Sequence, residues 1–328
     1  MNRLFATFVM VLVTTLASPA WSETAADLSK VHWNEGAKDC NANPQPPLEV
    51  HAYDSRTFVL RENLCATFEA PFMYLLIGPE RALLIDDGDI AEPKVVPLVD
   101  EVMKLLPKKG GSRLPLIVVH THRHLDHRAG DAQFAHRPGV QVVGYDIDSV
   151  KKYYGFTRWP DGVAHIDLGG RTIDVIPAPG HEGTHVVYYD ENTALFFSGN
   201  FMMPGRLLIA DAAADLASAK RVVAFIANRP IRYALGGHIE EDANGQLLPW
   251  ESQYHPNERV LPMSKADLLA LPAALEGFNG FYSDNGRFVM MNSMRMLAAM
   301  AIGALVVLAL LIFALVAFIG HRRRLRRA

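Results

Sequence analysis

Residues 114–127 read LPLIVVHTHRHLDH, an apolar run that ends in a crowd of imidazoles and a carboxylate. Leu114 to Val119 is short and rich in β-branched residues, the pattern of a buried strand. Directly behind it come His122, His124, Asp126 and His127. A strand end has little structural use for so many titratable groups. Neutral imidazole and carboxylate are ligands that zinc takes, and a loop leaving a strand aims alternate side chains at one point while the scaffold stays rigid. The stretch reads as a metal site.

Strand patterns separated by turn signals begin at Val50: 57–60, 72–77 and 82–85, the last two joined by Gly78-Pro79-Glu80 in a hairpin that ends at Asp86. Residues 93–106 place Val95, Val96, Val99 and Val102 at helical spacing. The alternation continues with a short helix at 129–135, a strand at 140–143 and a helix at 147–154. Strands follow at 172–176, 186–189 and 194–197, then a helix capped by Asp215, a strand at 233–235 and a helix at 265–275. This order gives an α/β fold class. The stretch between His238 and the last helix is rich in loops and reads either as a pocket wall or as a stalk.

The H-x-H-x-D-H pattern, filled as His122-Arg123-His124-Leu125-Asp126-His127, resembles that of the metallo-β-lactamase superfamily of hydrolases. Three further segments resemble the family's other motifs in order: Leu84-Ile85-Asp86-Asp87-Gly88 before it, Pro179-Gly180-His181 and Gly236-Gly237-His238 after it. The resemblance covers roughly residues 50–240 and implies an αββα metallo-β-lactamase sandwich. It implies one Zn2+ on His122, His124 and His181 and a second on Asp126, His127 and His238, with Asp86 holding a ligand histidine in its tautomer. Three protein ligands with one open position mark catalytic rather than structural zinc. Such a pair lowers the pKa of bound water to about 7, supplying a hydroxide that Asp126 also orients, and polarises a carbonyl or phosphoryl oxygen.

Phe197-Ser198-Gly199-Asn200 departs from the family, many of whose members place a metal-bridging aspartate where Asn200 stands. An amide carries no formal charge and bridges poorly, so the second metal is expected to bind more weakly. Two readings stay open: a dinuclear site held by six ligands and hydroxide, or one metal at ordinary levels. Asn200 also has an N–H to offer an oxyanion. The expected catalytic set is therefore His122, His124, Asp126 and Asn200. His120 and His185 are read as strand-end or supporting groups rather than ligands. Met202 and Met203 suggest an apolar wall near the metals, and Arg206 is either a partner for an anionic substrate or a solvated side chain on a packed loop. Tyr153, Tyr154 and Trp159 are equally open.

The ends of the chain set its location. Met1-Asn2-Arg3, an apolar run over 4–16 and small residues at 17–20 read as a signal peptide over 1–22, with an uncleaved anchor as the rival. Residues 296–320 are almost purely apolar, long enough for a hydrocarbon core of ~30 Å, and a histidine and five arginines follow. The expected division is a signal peptide at 1–22, a loop-rich lead-in at 23–49, a hydrolase domain at 50–290, a transmembrane helix at 294–320 and a basic cytoplasmic tail at 321–328. The positive-inside rule then places the body on the exported, periplasmic or extracytoplasmic side. Cys40 and Cys65 lie in that body and are either a disulfide or two free thiols. A net charge of −3 leaves no basic footprint for nucleic acid. The expected partners are a small-molecule substrate and the membrane; the oligomeric state is not encoded in any motif.

The expected function is an exported, membrane-tethered zinc hydrolase that cleaves a C–N, C–O or C–S acyl bond in a lactam, lactone, ester or thioester. Export weighs against a glutathione thioester, and the missing bridging aspartate weighs toward a lactamase-like site. The alternatives are a phosphodiester or sulfate-ester hydrolase on the same metals and a metal-containing binding module without catalysis, which the six intact ligands disfavour.

Overall fold

All six residues from Phe72 to Ile77 are buried, and alternate ones face opposite sides of the strand they form. Phe72, Tyr74 and Leu76 join one apolar cluster, whereas Met73, Leu75 and Ile77 join another. A strand apolar on both faces needs cover on both, and this produces a layered fold. The computed structural model describes residues 25–326. The leader read at 1–22 lies outside the described residues, as do the last two residues of the tail.

The first sheet is built from β1 (Leu48–Asp54), β2 (Thr57–Glu62), β3 (Phe72–Ile77) and β4 (Ala82–Ile85). After α1 (Leu98–Leu105) and a small hairpin, β5 (Lys108–Lys109) and β6 (Ser112–Arg113), come β7 (Leu116–Val119), α2 (Asp131–Phe134), β8 (Val140–Val142) and α3 (Ile147–Tyr154). The second half runs β9 (Ala164–Asp167), β10 (Thr172–Pro177), β11 (Val186–Asp190), β12 (Leu195–Gly199), β13 (Arg206–Leu208), α4 (Ala212–Ile226) and β14 (Tyr233–Gly236). It closes with α5 (Lys265–Glu276), β15 (Tyr282–Asp284), β16 (Val289–Met291) and α6 (Ser293–Leu325).

The strand order is β1-β2-β3-β4-β7-β8 in the first sheet and β14-β12-β11-β10-β9 in the second. β4, β7 and β8 run parallel, as do β12 and β14; the other pairs within these two sheets are antiparallel. The inner faces meet through Tyr74, Ile85 and Val119 on one side and Val186, Tyr188 and Phe197 on the other. α1 and α2 cover the outer face of the first sheet, and α4 and α5 cover that of the second. These are the four layers of an αββα sandwich.

Several boundaries differ from the sequence expectation. α1 begins only at Leu98, because Pro97 keeps Val96 out of helical geometry. α4 is capped by Asp211, whose carboxylate accepts from the backbone N–H of Ala213 and Ala214 at 3.0 Å, and Asp215 lies buried in the first turn instead of capping it. β13, β15 and β16 carry no alternation long enough to read, whereas β9 does alternate, Ala164 and Ile166 inward and His165 and Asp167 outward, and is a strand that the sequence expectation omits. The lead-in packs on the body: Leu28 and Trp33 enter the core between the sheets, and Cys40 is disulfide-bonded to Cys65. Residues after His238 fold back as well, with α5 against α4 and β16 paired with β13. α6 has the length and composition to cross a membrane, and none of its described residues is buried.

A buried ion pair ties that returning segment to the first sheet. Arg61 on β2, 2% exposed, donates to both oxygens of Glu258 at 2.6 and 2.8 Å, and His255 Nδ1 lies 2.8 Å from the same carboxylate. Burial alone would raise the Glu258 pKa, yet Arg61 and His255 hold it below the ordinary glutamate value of 4.5. Glu258→Ala leaves Arg61 buried and unpaired there and should cost about 3–5 kcal/mol, read as a lower melting temperature of the full chain in detergent. A depressed carboxylate stabilises fully above its unfolded pKa and loses that contribution as pH falls through the folded one. The gap between wild type and Glu258→Ala should therefore close on acidification below about pH 4, and a gap independent of pH would refute an ionic role.

Candidate metal centre

The ends of β7, β10 and β14 deliver imidazoles to one edge of the sandwich. β7 stops at Val119, the loop carries His122 and His124, and a single 3-10 turn at Leu125–His127 presents Asp126 and His127. The loop after β10 supplies His181, and the residues after β14 supply His238.

These six side chains converge as two trios. His124 Nδ1 lies 3.0 Å from His122 Nε2 and 3.1 Å from His181 Nε2. His127 Nε2 lies 3.0 Å from Asp126 Oδ2 and 3.1 Å from His238 Nε2, with Asp126 Oδ2 3.2 Å from His238 Nε2. One N–H proton serves one nitrogen acceptor, not two, so three nitrogens meeting at a point fit a cation better than a hydrogen bond. Ligands around tetrahedral zinc sit about 3.4 Å apart, and both trios come close to that spacing.

The far nitrogens of four histidines are held. His127 Nδ1 donates to Asp86 at 2.9 Å, His181 Nδ1 to the Leu208 carbonyl at 2.9 Å and His238 Nδ1 to the Glu69 carbonyl at 2.7 Å. Thr121 Oγ1 donates to Asp86 at 2.9 Å and so can accept from His122 Nδ1 at 3.0 Å. Each arrangement turns a bare Nε2 inward. Asp86 also accepts from the Thr121 backbone N–H at 2.6 Å, and it adopts φ 60°, a left-handed conformation.

The charges of the two trios differ. Burial, reinforced by neighbouring imidazoles, drives the His122 pKa well below 6.5, lowers that of His124 and takes His181 to about 4. These three are neutral donors at pH 7. In the other trio burial again favours the neutral imidazole, but Asp126 and Asp86 outweigh it and raise His127 to about 10. Asp126, despite a burial that would raise its pKa, is held well below the usual carboxylate value by His127 and His238. A cation in this trio takes the place of a proton.

Asn200 ends up beside the second trio. A side chain on Gly237 would place its Cβ 2.4 Å from Asn200 Oδ1 and 2.7 Å from His127 Cε1, so glycine is what lets the strands close there. Asn200 Oδ1 is buried without a hydrogen-bond partner among the described residues. His185 is outside both trios and stacks on His122 with centroids 4.9 Å apart and planes 18° apart. His120 is also outside them, 3.0 Å from Asp131. Arg206 faces neither substrate space nor solvent: it is buried, stacked on Trp250 at 4.4 Å and hydrogen-bonded to the Leu248 carbonyl. Met202 and Met203 belong to the core outside the second sheet, whereas Tyr153, Tyr154 and Trp159 pack against the core between the sheets.

Sequence reasoning missed Thr121, although it lies between two flagged histidines. It also missed the carbonyls of Glu69 and Leu208, for which no sequence signal exists because any residue carries one.

The chain is similar to several known proteins. A family model described as the metallo-beta-lactamase superfamily matches residues 66–238, just over half the chain. A hydroxyacylglutathione hydrolase of Aeromonas hydrophila is 28% identical over 162 residues, which is 48% of this chain and 58% of that protein. The protein of that name from Dechloromonas aromatica is 24% identical over 216 residues, 66% of this chain and 74% of the relative. The chain thus spans about half the length of several of the curated relatives it matches. A solved metallo-beta-lactamase from Pontibacter korlensis superposes with a TM-score of 0.46 at 18% identity, covering 70% of this chain and 100% of that one. With its family's motifs met in order along the chain and their side chains gathered at one sheet edge, the chain belongs to the metallo-beta-lactamase superfamily of hydrolases.

Proposed function

We propose that this chain is an exported, membrane-tethered, zinc-dependent hydrolase that cleaves an acyl bond of a small molecule. The observation that carries the proposal is the pair of trios, each with three donors converging at about 3 Å. His122, His124 and His181 would hold one zinc and Asp126, His127 and His238 a second, and zinc there makes water acidic and a carbonyl electrophilic.

The chain's own groups prepare that site. Asp86 fixes the tautomer of His127, and Thr121 passes the same constraint to His122. Asn200 has its amide N–H available for a carbonyl oxygen as charge builds there. Leu125, inside the ligand loop, and Phe68, next to Glu69, are exposed apolar side chains that can receive an acyl group. Among lactams, lactones, esters and thioesters the thioester comes first, because hydroxyacylglutathione, named in the curated relatives, is one; export, which weighs against glutathione, leaves the bond type and not that thiol in this reading.

The Cys40–Cys65 disulfide suits an oxidising compartment. Five arginines behind the apolar span suit a cytoplasmic tail. The division into leader (1–22), lead-in (23–49), hydrolase domain (50–290), span (294–320) and tail (321–328) belongs to this reading.

The test is turnover by the zinc-loaded full chain in detergent on an acyl thioester, an aryl ester, a lactone and a chromogenic β-lactam. At least one should be hydrolysed, and His124→Ala should abolish it; a wild type that holds zinc and leaves all four untouched sinks the proposal. Asp86→Asn should lower metal affinity or activity about 10–100-fold while the fold persists by circular dichroism. Asn200→Asp adds a negative charge beside His127 and should raise zinc retention at the second trio about tenfold or more in competition with a chelator. Unchanged retention would remove any charge effect from that position.

A further inference from the structure

Asp87, His120 and Asp131 form a third group of donors, outside both trios, with their ligand atoms within 4.8 Å of one another. His120 Nε2 lies 3.0 Å from Asp131 Oδ1 and 3.8 Å from Asp87 Oδ2. Asp87 is fully buried, and both its oxygens lack a hydrogen-bond partner among the described residues. A carboxylate so placed is costly, since nothing on the protein replaces the water it gave up.

A proton does not resolve this arrangement well. The single N–H on His120 Nε2 can point at Asp131 or at Asp87, and the 3.0 Å contact assigns it to Asp131. A cation between the three groups would serve both carboxylates at once. Ligands about 2.1 Å from tetrahedral zinc lie about 3.4 Å apart, between the two distances observed here. Asp131, with 27% of its side chain exposed, leaves a way in from solvent and a place for water.

The position of the group gives such an ion a purpose. Asp87 follows β4, His120 follows β7 two residues before His122, and Asp131 opens α2 four residues after His127. The three therefore bracket the loop that carries His122, His124, Asp126 and His127. Backbones touch at the same place: Asp87 N–H donates to the His127 carbonyl at 3.1 Å, and a Cβ on Gly130 would fall 2.0 Å from the Asp87 carbonyl oxygen.

We propose that Asp87, His120 and Asp131 bind a further divalent cation, of the zinc or manganese class, that pins both ends of the ligand loop. One nitrogen and two carboxylates make a donor set for a borderline or hard ion. The site does not depend on whether the two trios catalyse anything.

Metal content of the full chain in detergent tests it, after loading with zinc and dialysis, by elemental mass spectrometry. Asp131→Asn and Asp87→Asn should each lose one zinc per chain relative to wild type, and the double variant the same one. His124→Ala reports the first trio separately, so failure there and failure here are distinguishable. Crystals of the full chain, which need no substitution, should show an anomalous peak at the zinc edge between the three residues. If Asp131→Asn keeps the wild-type zinc count and no peak appears, the group is an imidazolium shared by two carboxylates and the proposal falls.

Discussion

The fold and the site both depend on the buried carboxylate of Asp86. It sits where β4 ends, beside the parallel strand β7, and accepts from the Thr121 backbone N–H, the Thr121 hydroxyl and His127 Nδ1. A carboxylate removed from water is tolerable only with such donors, and each of these comes from the segment that follows β7. The pairing of Ile85 with Val119 therefore brings Asp86 level with its donors. A slip of one residue in β4 would present the neighbouring side chain to them and break the hold on His127.

Both sheets contribute to each trio. The first sheet supplies His122 and His124 to one and Asp126 and His127 to the other; the second sheet supplies His181 and His238. The sheets are also stitched beside the site: Tyr74 Oη donates to the Gly236 carbonyl, Phe72 N–H to that of Gly237, Val186 N–H to that of Thr121 and Tyr188 Oη to that of His120. A metal ion held by either trio would close a bond between the two halves, so affinity for the ion and stability of the sandwich would be the same free energy read in two ways. The candidate membrane helix joins this network too. Leu208, whose carbonyl holds His181, lies opposite Met291 in the β13–β16 pair, two residues before α6 begins.

What could be read from the sequence was what is local. The strand at 72–77 and the helix at 147–154 matched because the unbroken apolar run between Pro71 and Gly78 and, for the helix, the Asp146 cap and the Gly155 stop are all local to the segment. The six convergent side chains were legible because short motifs carry them. Arg206 was not, because the ring that covers it, Trp250, is 44 positions away in sequence, and a charged side chain beside a motif looks the same whether it is free or stacked. The strand pairing of β13 with β16 was hidden for the same reason: three-residue strands have no period, and their partner is 83 residues distant. Asp215 was misread as a cap because its neighbour Asp211 offers the same chemistry one turn earlier, and only backbone geometry chooses between them.

The charge that this chain assembles is uneven. Three neutral imidazoles form one trio, while the other has the charge of Asp126 with Asp86 behind it. Asn200 stands beside the second trio without a charge of its own, its oxygen held against Gly237 and His127. Were both trios filled by divalent ions, Asp126 and Asp86, the two carboxylates in contact with the trios, would leave the trios themselves a net positive centre, with Glu69 and Asp89 in electrostatic reach of Asp126 and His238. Such a centre draws in anionic groups and stabilises negative charge as it forms on a substrate oxygen. The all-imidazole trio has no charge of its own to hold an ion and so depends on the geometry of its ligands. The contacts that fix that geometry, Thr121 on His122 and the Leu208 carbonyl on His181, then carry as much of the site as the nitrogens themselves.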